Sequence, residues 1–348
     1  MATTEADNMD LYAGLEGILG IKDRMFTPFV RGRVSIINDK IWKRCLKEND
    51  SRARTYRSVS FDTQTVSYIE RFYKGKEVQG EGFEAVLHLL KSGELGIDHI
   101  PYTLENLAFD LGRKDSVEQT LFAYEMLCGE NAGKEKVCRK RSRSIVSLYE
   151  NKNFEAPFHT KELYKIIYLT LLKMSQIQLQ YPKLSVQKKL SMFVDFVANK
   201  LCKITQPEIN LAKVYFLQGS TCGFFGKIHA KNKAVLEQLK NMTWDLLHLR
   251  FMDYSCMMFD AKKGDALIPY FFTYDKRLIS VRDCYSLQAL AINTCKYFAI
   301  PIYAINEGLE DVLREHCTIE KHRERMMKNP DIEFLIAETE RELLKLIQ

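Results

Sequence analysis

Apolar positions recur along this chain with two periods, and the switch between them marks its elements. SVSF, ending at Phe61, is a short β-rich run. TVSYIERFYKG then puts Val66, Ile69 and Phe72/Tyr73 on one helical face. Gly75 and Gly80 flank a turn. GFEAVLHLLKSG is apolar at Phe83, Val86, Leu87, Leu89 and Leu90, and Gly93 suits its C-terminal cap. IDHI reads as a second short strand. Pro101 opens a helix, YTLENLAFDLG, which Gly112 ends.

The next stretch, 113–235, carries broad helical faces. SVEQTLFAYEMLCG is one helix, and ENAGKEKVCRKRSR after it reads as a loop. KELYKIIYLTLLKMSQIQLQ, SVQKKLSMFVDFVANKLC and PEINLAKVYFLQG follow as helices, separated by Pro182 and Pro207. From 236 to 306 the pattern alternates again. LEQLKNMTWDLLHLRFMDYSCMMF is helical, LIPYFFTYD is a strand running into Asp275, SLQALAINTCKYF reads as a helix and AIPIYAI as a closing strand. The last helix is IEFLIAETERELLKLI. Residues 1–57 hold short apolar pieces (LYAGLEGILGI, RVSIIN) and a basic stretch from Ile41 to Arg57.

Short apolar strands alternating with helices predict an α/β fold, a mainly parallel sheet flanked by helices. The expected division is an N-terminal extension over 1–57, core halves at 58–112 and 236–306, an all-helical insertion at 113–235, and a C-terminal helical segment at 307–348.

Composition adds limits. With 348 residues, 46% of them hydrophobic, the chain buries one large core or two modest ones. A net charge of +6 permits a polyanionic partner without requiring one. The nine cysteines show no CxxC or zinc-ligand spacing, and several sit in apolar runs. Buried, reduced thiols in the cytoplasm are the expectation. The N-terminus has no signal-peptide pattern. No apolar run reaches the roughly 18 residues of a membrane span, so no membrane is expected as a partner.

Four carboxylates stand at element boundaries. Asp62 follows the strand SVSF, Glu105 lies just past Pro101, Asp245 opens the run WDLLHLR, and Asp275 follows the strand PYFFT. In an open α/β sheet the functional crevice lies beyond the carboxyl ends of the strands, where such side chains converge. Converging carboxylates repel one another unless a cation joins them. Mg²⁺ and Mn²⁺ prefer hard oxygen donors, and a metal so held activates water and neutralises charge on a phosphate under attack. Sharing a metal requires the carboxylates to lie within about 10 Å of one another. Thr63, Thr65 and Thr273 stand where hydroxyls would support them, and β-propensity alone also explains threonine beside a strand.

These motifs resemble a PIN domain, a family of metal-dependent nucleases. SVSFDTQTVSYIERF is similar to its opening, a strand ending in Asp followed by a small hydroxyl or amide residue. Glu105 follows 43 residues later, WDLLHLRF matches the helix led by Asp, and FFTYDKRL matches a T-x-D motif 30 residues after Asp245. The likeness spans two separated pieces, and the long helical stretch between them departs from a compact PIN domain. It implies that Asp62, Glu105, Asp245 and Asp275 hold Mg²⁺ or Mn²⁺ and catalyse phosphodiester hydrolysis, of RNA more than DNA. It also admits a homo-oligomer or a regulatory protein partner. Glu125, in an apolar helical context, rivals Glu105 as the second ligand.

Other chemistry is weighed beside this. The basic stretch carrying Arg139, Lys140, Arg141 and Arg143, the segment around Arg52, Arg54 and Arg57, and Lys276 suit phosphate contacts, or are simply solvated charge. SFDTQTV also resembles the first motif of haloacid-dehalogenase-like phosphatases, with Asp62 as nucleophile. That family places a second Asp two residues on, where this chain has Gln64. A non-enzymatic helical interaction protein with an inactive α/β core is the third reading.

Overall fold

The computed structural model describes residues 33–36, 55–78, 83–92, 96–128, 131–151, 154, 156, 159–255, 266–285, 287–293, 298–303 and 305–347. The apolar piece at 11–21 and the basic residues Arg52 and Arg54 lie outside the described residues. The chain divides into two compact units. The first comprises 1–161, 250–276 and 287–302, and the second comprises 162–249, 277–286 and 303–348.

The first unit is built on a four-stranded sheet: β1 (Arg33–Ile36), β2 (Thr55–Phe61), β3 (Gly96–Asp98) and β4 (Ala266–Thr273), in the order β1-β4-β2-β3. β2, β3 and β4 run parallel, with Ser60 opposite Asp98 on one side and Phe271 on the other. β1 is antiparallel to β4 and pairs Arg33 with Thr273. The segment expected as an N-terminal extension therefore supplies an edge strand. Val59, Ser60 and Phe61 are all buried, as a strand covered on both faces requires.

Helices of this unit follow from local signals. α1 (Thr63–Tyr73) starts at Asp62, whose side chain caps it, and buries Thr65, Val66 and Ile69 on one face. α2 is Phe83–Ser92, and α3 (Ile100–Leu107) begins with Pro101 in its first turn. α4 (Lys114–Leu127) packs on α5 (Glu135–Glu150). The segment expected as a loop, ENAGKEKVCRKRSR, is thus mostly helix. Its charge density resembles a loop, but it lacks proline, Lys and Arg favour helices, and Cys138, Ser142 and Val146 form a buried i, i+4, i+8 stripe.

A second correction concerns SLQALAIN. Expected as helix, it forms β5 (Leu287–Asn293), which pairs with β6 (Phe298–Tyr303) in a separate two-stranded sheet. The pairing of two apolar segments close in sequence overrides the helix propensity of Leu and Ala. β6, expected to close the main sheet, pairs with β5.

The second unit is mainly helical. It holds most of α6 (Thr160–Gln180), then α7 (Val186–Asp195), which runs into a π-helical turn at Phe196–Lys200, and α8 (Gln206–Gln218). α9 (Val235–Ser255) contributes its residues up to Leu249, and α10 (Lys276–Val281) follows β4 in the chain. Three C-terminal helices complete it: α11 (Glu310–Arg314), α12 (Ile319–Met326) and α13 (Ile332–Leu344). Phe193, Val197, Tyr215 and Phe225 form part of its core, with Tyr215 stacked on Phe225 at 3.8 Å. Polar bonds tie α13 to α6, from Tyr168 to Glu340 at 2.7 Å and from Gln176 to Glu342 at 2.6 Å. Among the described residues, no helix is long and apolar enough to cross a membrane.

Candidate functional site

The site grows from the carboxyl ends of the parallel strands. After Phe61 the chain leaves β2, and the Asp62 N–H still donates to the Phe272 carbonyl at 3.2 Å. This extends the ladder with β4 by one bond and fixes the backbone beneath the carboxyl group. Asp62 Oδ1 accepts from the Thr65 N–H at 2.7 Å and from the Thr65 hydroxyl at 2.5 Å. Oδ2 accepts from the Thr273 hydroxyl at 2.7 Å. Thr273 Oγ1 in turn accepts the Asp275 N–H at 3.0 Å. One hydroxyl therefore links the ends of β2 and β4.

Glu105 joins from α3. Its Oε2 accepts from the Thr63 hydroxyl at 2.5 Å. Burial pushes the Glu105 carboxyl above its usual range, and the Asp62 charge adds to that, while Thr63 and Arg113 oppose it. Burial also raises Asp62, against hydrogen bonds from Thr65 and Thr273 that favour its charged form. The Asp62 charge reaches Glu105, so charging both of these half-buried carboxylates at once is costly. All three threonines singled out in the sequence bond directly to this pair. Tyr274 lies beside it, its phenol raised mainly by burial and then by the Asp62 charge.

Asp245 belongs to the second unit. It does not open a helix, because it is the eleventh residue of the 21-residue α9. NMTW before it offers no glycine or proline to break the helix, so a D-x-L-x-L pattern sits in mid-run. Glu125 is engaged elsewhere, paired with Arg141 at 2.6 Å with its side chain 7% exposed. Gln64 is exposed and donates to the Tyr68 hydroxyl at 2.7 Å. Lys276 is exposed at the start of α10.

The basic residues of α5 are mostly occupied by carboxylates. Arg139 pairs with Glu135 at 2.8 Å and lies 4.5 Å from the centre of the Phe122 ring, and Arg143 pairs with Glu118 at 3.0 Å. Exposed pairs of this kind are worth about 0–1 kcal/mol, so a phosphate can displace them. Lys140 is exposed on the same helix.

A residue that the sequence reading passed over is Asp98, the last of β3. Its Oδ2 accepts from the Ser60 hydroxyl at 2.6 Å and its Oδ1 from the Ile100 N–H at 3.0 Å. Burial pushes its carboxyl up to about 6. Beside it, burial pushes His99 down to about 4, and His99 Nδ1 is buried without a hydrogen-bond partner among the described residues. The rule that selected Asp62 and Asp275, an acid at the carboxyl end of a strand, also selects Asp98.

Among the described residues, no group of three or more His, Cys, Asp or Glu stands ready to hold a metal ion. The donors at hand do fit Mg²⁺, which takes one or two carboxylates and fills its remaining positions with water and substrate oxygens. Asp62 and Glu105 supply hard oxygens, each oriented by a threonine hydroxyl. Comparisons with protein families, with curated proteins and with solved structures return no match.

Proposed function

We propose that the chain is a metal-dependent nuclease of PIN type that hydrolyses phosphodiester bonds, in RNA more than in DNA. The observation that carries this reading is the coupling of Asp62 and Glu105 at the carboxyl edge of a parallel sheet, with Thr273 linking Asp62 to the backbone of Asp275. Asp62 and Glu105 would hold Mg²⁺ or Mn²⁺, which when bound lowers the pKa of water and neutralises phosphate charge. Asp245, expected as a further ligand, stands in the second unit, and the proposed site is built from first-unit residues.

The protein's own groups have distinct tasks. Thr65 and Thr273 hold the Asp62 carboxylate from both sides, so it stays fixed when charge changes nearby. Thr63 orients Glu105. The raised pKa of Glu105 suits a group that takes a proton from an attacking water. Lys140 on α5 and Lys276 beside Asp275 supply cations for the phosphate backbone, a contact without sequence preference. The phosphatase alternative needs a carboxylate at position 64, and an exposed glutamine stands there.

The test is cleavage of end-labelled single-stranded RNA and DNA with Mn²⁺, with and without EDTA. Asp62→Asn, Glu105→Gln and Asp275→Asn are assayed beside the native protein. EDTA and the Asp62 and Glu105 substitutions should each abolish cleavage. Activity surviving both substitutions would overturn the reading, and hydrolysis of small phosphate monoesters alone would favour a phosphatase.

A further inference from the structure

An aromatic row leads away from the carboxylate pair. Tyr274, next to Asp275, packs on Tyr68 of α1 with ring centres 5.5 Å apart. Tyr68 meets Phe83 of α2 edge-on at 6.5 Å, and Phe83 meets Phe72 at 5.6 Å. The first three rings hold one another, while Phe72 is 39% exposed. There the row opens into a cavity of about 760 Å³ between the end of α1 and the start of α2, lined by Phe72, Val78, Phe83 and Leu87, with Lys76, Glu77 and Glu84 among its charged members. Apolar walls with charges of both signs suit a flat, uncharged ring better than a phosphate.

The surroundings supply what such a ring would be attached to. Tyr73, adjacent to Phe72 on the same turn, packs edge-on against Phe122 at 5.9 Å, and Arg139 of the basic helix α5 covers that Phe122 ring. Arg139, paired with Glu135, thus stands beyond Tyr73 and Phe122 at this end of α1, and Lys76 lines the cavity beside Glu77 and Glu84. The other end of α1 begins at Asp62, ten residues from Phe72, or about 15 Å along the helix axis. About five nucleotides span that distance even when fully stacked at about 3.4 Å per step.

We propose that this cavity is a subsite for one unpaired nucleobase, stacked on Phe72, of a single strand whose scissile phosphate sits at Asp62 and Glu105. The inference rests on the nuclease reading and names its substrate class as single-stranded. A base in a duplex cannot enter the cavity without leaving its stack. Lys76 and Arg139 are the cations assigned to the backbone that carries the base.

Fluorescence anisotropy of a labelled RNA octamer on the Asp62→Asn protein tests this. Loss of one base–aromatic stack weakens binding roughly five- to hundredfold. Adding Phe72→Ala should weaken octamer binding by that factor, Phe72→Trp should retain it, and a dinucleotide should bind both proteins alike. In the otherwise native protein, Phe72→Ala should raise the KM for the octamer more than it lowers kcat. Equal octamer affinity in the Phe72→Ala and parent proteins, or equal weakening by Phe72→Trp and Phe72→Ala, would overturn the subsite. In that case, metal-dependent octamer cleavage by the native protein would leave the nuclease reading standing. No octamer binding and no cleavage would overturn both.

Discussion

Thr273 donates its hydroxyl hydrogen to Asp62 Oδ2 at 2.7 Å across 211 residues of sequence, and Thr273 Oγ1 accepts the Asp275 N–H at 3.0 Å. Thr273 itself is 2% exposed, and the two groups it bonds to belong to the half-buried residues Asp62 and Asp275. Thr273→Val keeps the shape and removes the hydroxyl, leaving a carboxylate oxygen and an N–H each short of a partner. The expected loss is about 1–3 kcal/mol of unfolding free energy. The loss should be larger at pH 8 than at pH 4, because the charged fraction of Asp62 grows as pH rises and the charged form depends more on the donor. Thr273→Ser should recover most of it, and urea unfolding at both pH values gives the comparison.

Asp62 and Glu105 also make a prediction that needs no substrate. Burial raises both carboxyls above the ordinary carboxylate range, and the Asp62 charge adds repulsion at Glu105. A divalent cation that binds the folded protein relieves that repulsion, and binding at a hundred times its Kd adds about 2.7 kcal/mol to stability. Mn²⁺ should therefore raise the unfolding temperature at pH 7.5, EDTA should reverse the effect, and Asp62→Asn or Glu105→Gln should remove it. Because the cation competes with protons for carboxyls of raised pKa, the effect should shrink by pH 5.5. Differential scanning fluorimetry across pH reads this directly. An equal Mn²⁺ effect in the Asp62→Asn protein would place binding elsewhere.

What could be read from the sequence follows the range of the interactions. Asp62, Thr63 and Thr65 are legible because a strand end that caps the next helix is a matter of three or four residues. Glu105 and Thr273 are legible only by order and spacing, since their bonds to the first motif cross 42 and 211 positions. Asp98 escapes because the expected strand IDHI runs past it to Ile100, whereas the observed strand ends on it, and the Ser60 hydroxyl shows that it is tied into the sheet. α5 escapes because its buried stripe contains one strongly apolar residue, Val146, among Cys138 and Ser142. β5 escapes because its partner, not its composition, decides its conformation.

Asp98 gives a pH dependence whose sign can be worked out. Its folded pKa of about 6 lies above the ordinary 3.8, so the native state holds the proton more tightly than the unfolded chain. The resulting stabilisation is complete below about pH 4 and is lost as pH rises through 6. An elevation of this size corresponds to roughly 3 kcal/mol. Asp98→Asn removes the charge and keeps an oxygen for the Ile100 N–H and an amide for Ser60. The substitution should stabilise the protein at pH 7.5 and change little at pH 4. Thermal unfolding at the two pH values tests it, and a destabilisation at pH 7.5 would show that the charged form is the one the fold holds.

Two cations one residue apart on α5 should behave oppositely. Arg141 reaches Glu125 at 2.6 Å, where the glutamate side chain is 7% exposed and the arginine 54%. Removing Arg141 strands a buried carboxylate, but solvent around the arginine screens the pair and limits the loss to about 1–2 kcal/mol. Lys140 is exposed, so Lys140→Ala should leave stability within about 0.5 kcal/mol. In polyanion binding the order reverses. Lys140 has no carboxylate partner among the described residues, so Lys140→Ala should reduce the salt dependence of RNA binding by about one phosphate contact. Arg141→Ala should change that slope less, because its guanidinium is committed to Glu125. Unfolding curves paired with binding titrations from low to high salt separate the two effects. Equal slopes in the native and Lys140→Ala proteins would remove α5 from the binding surface.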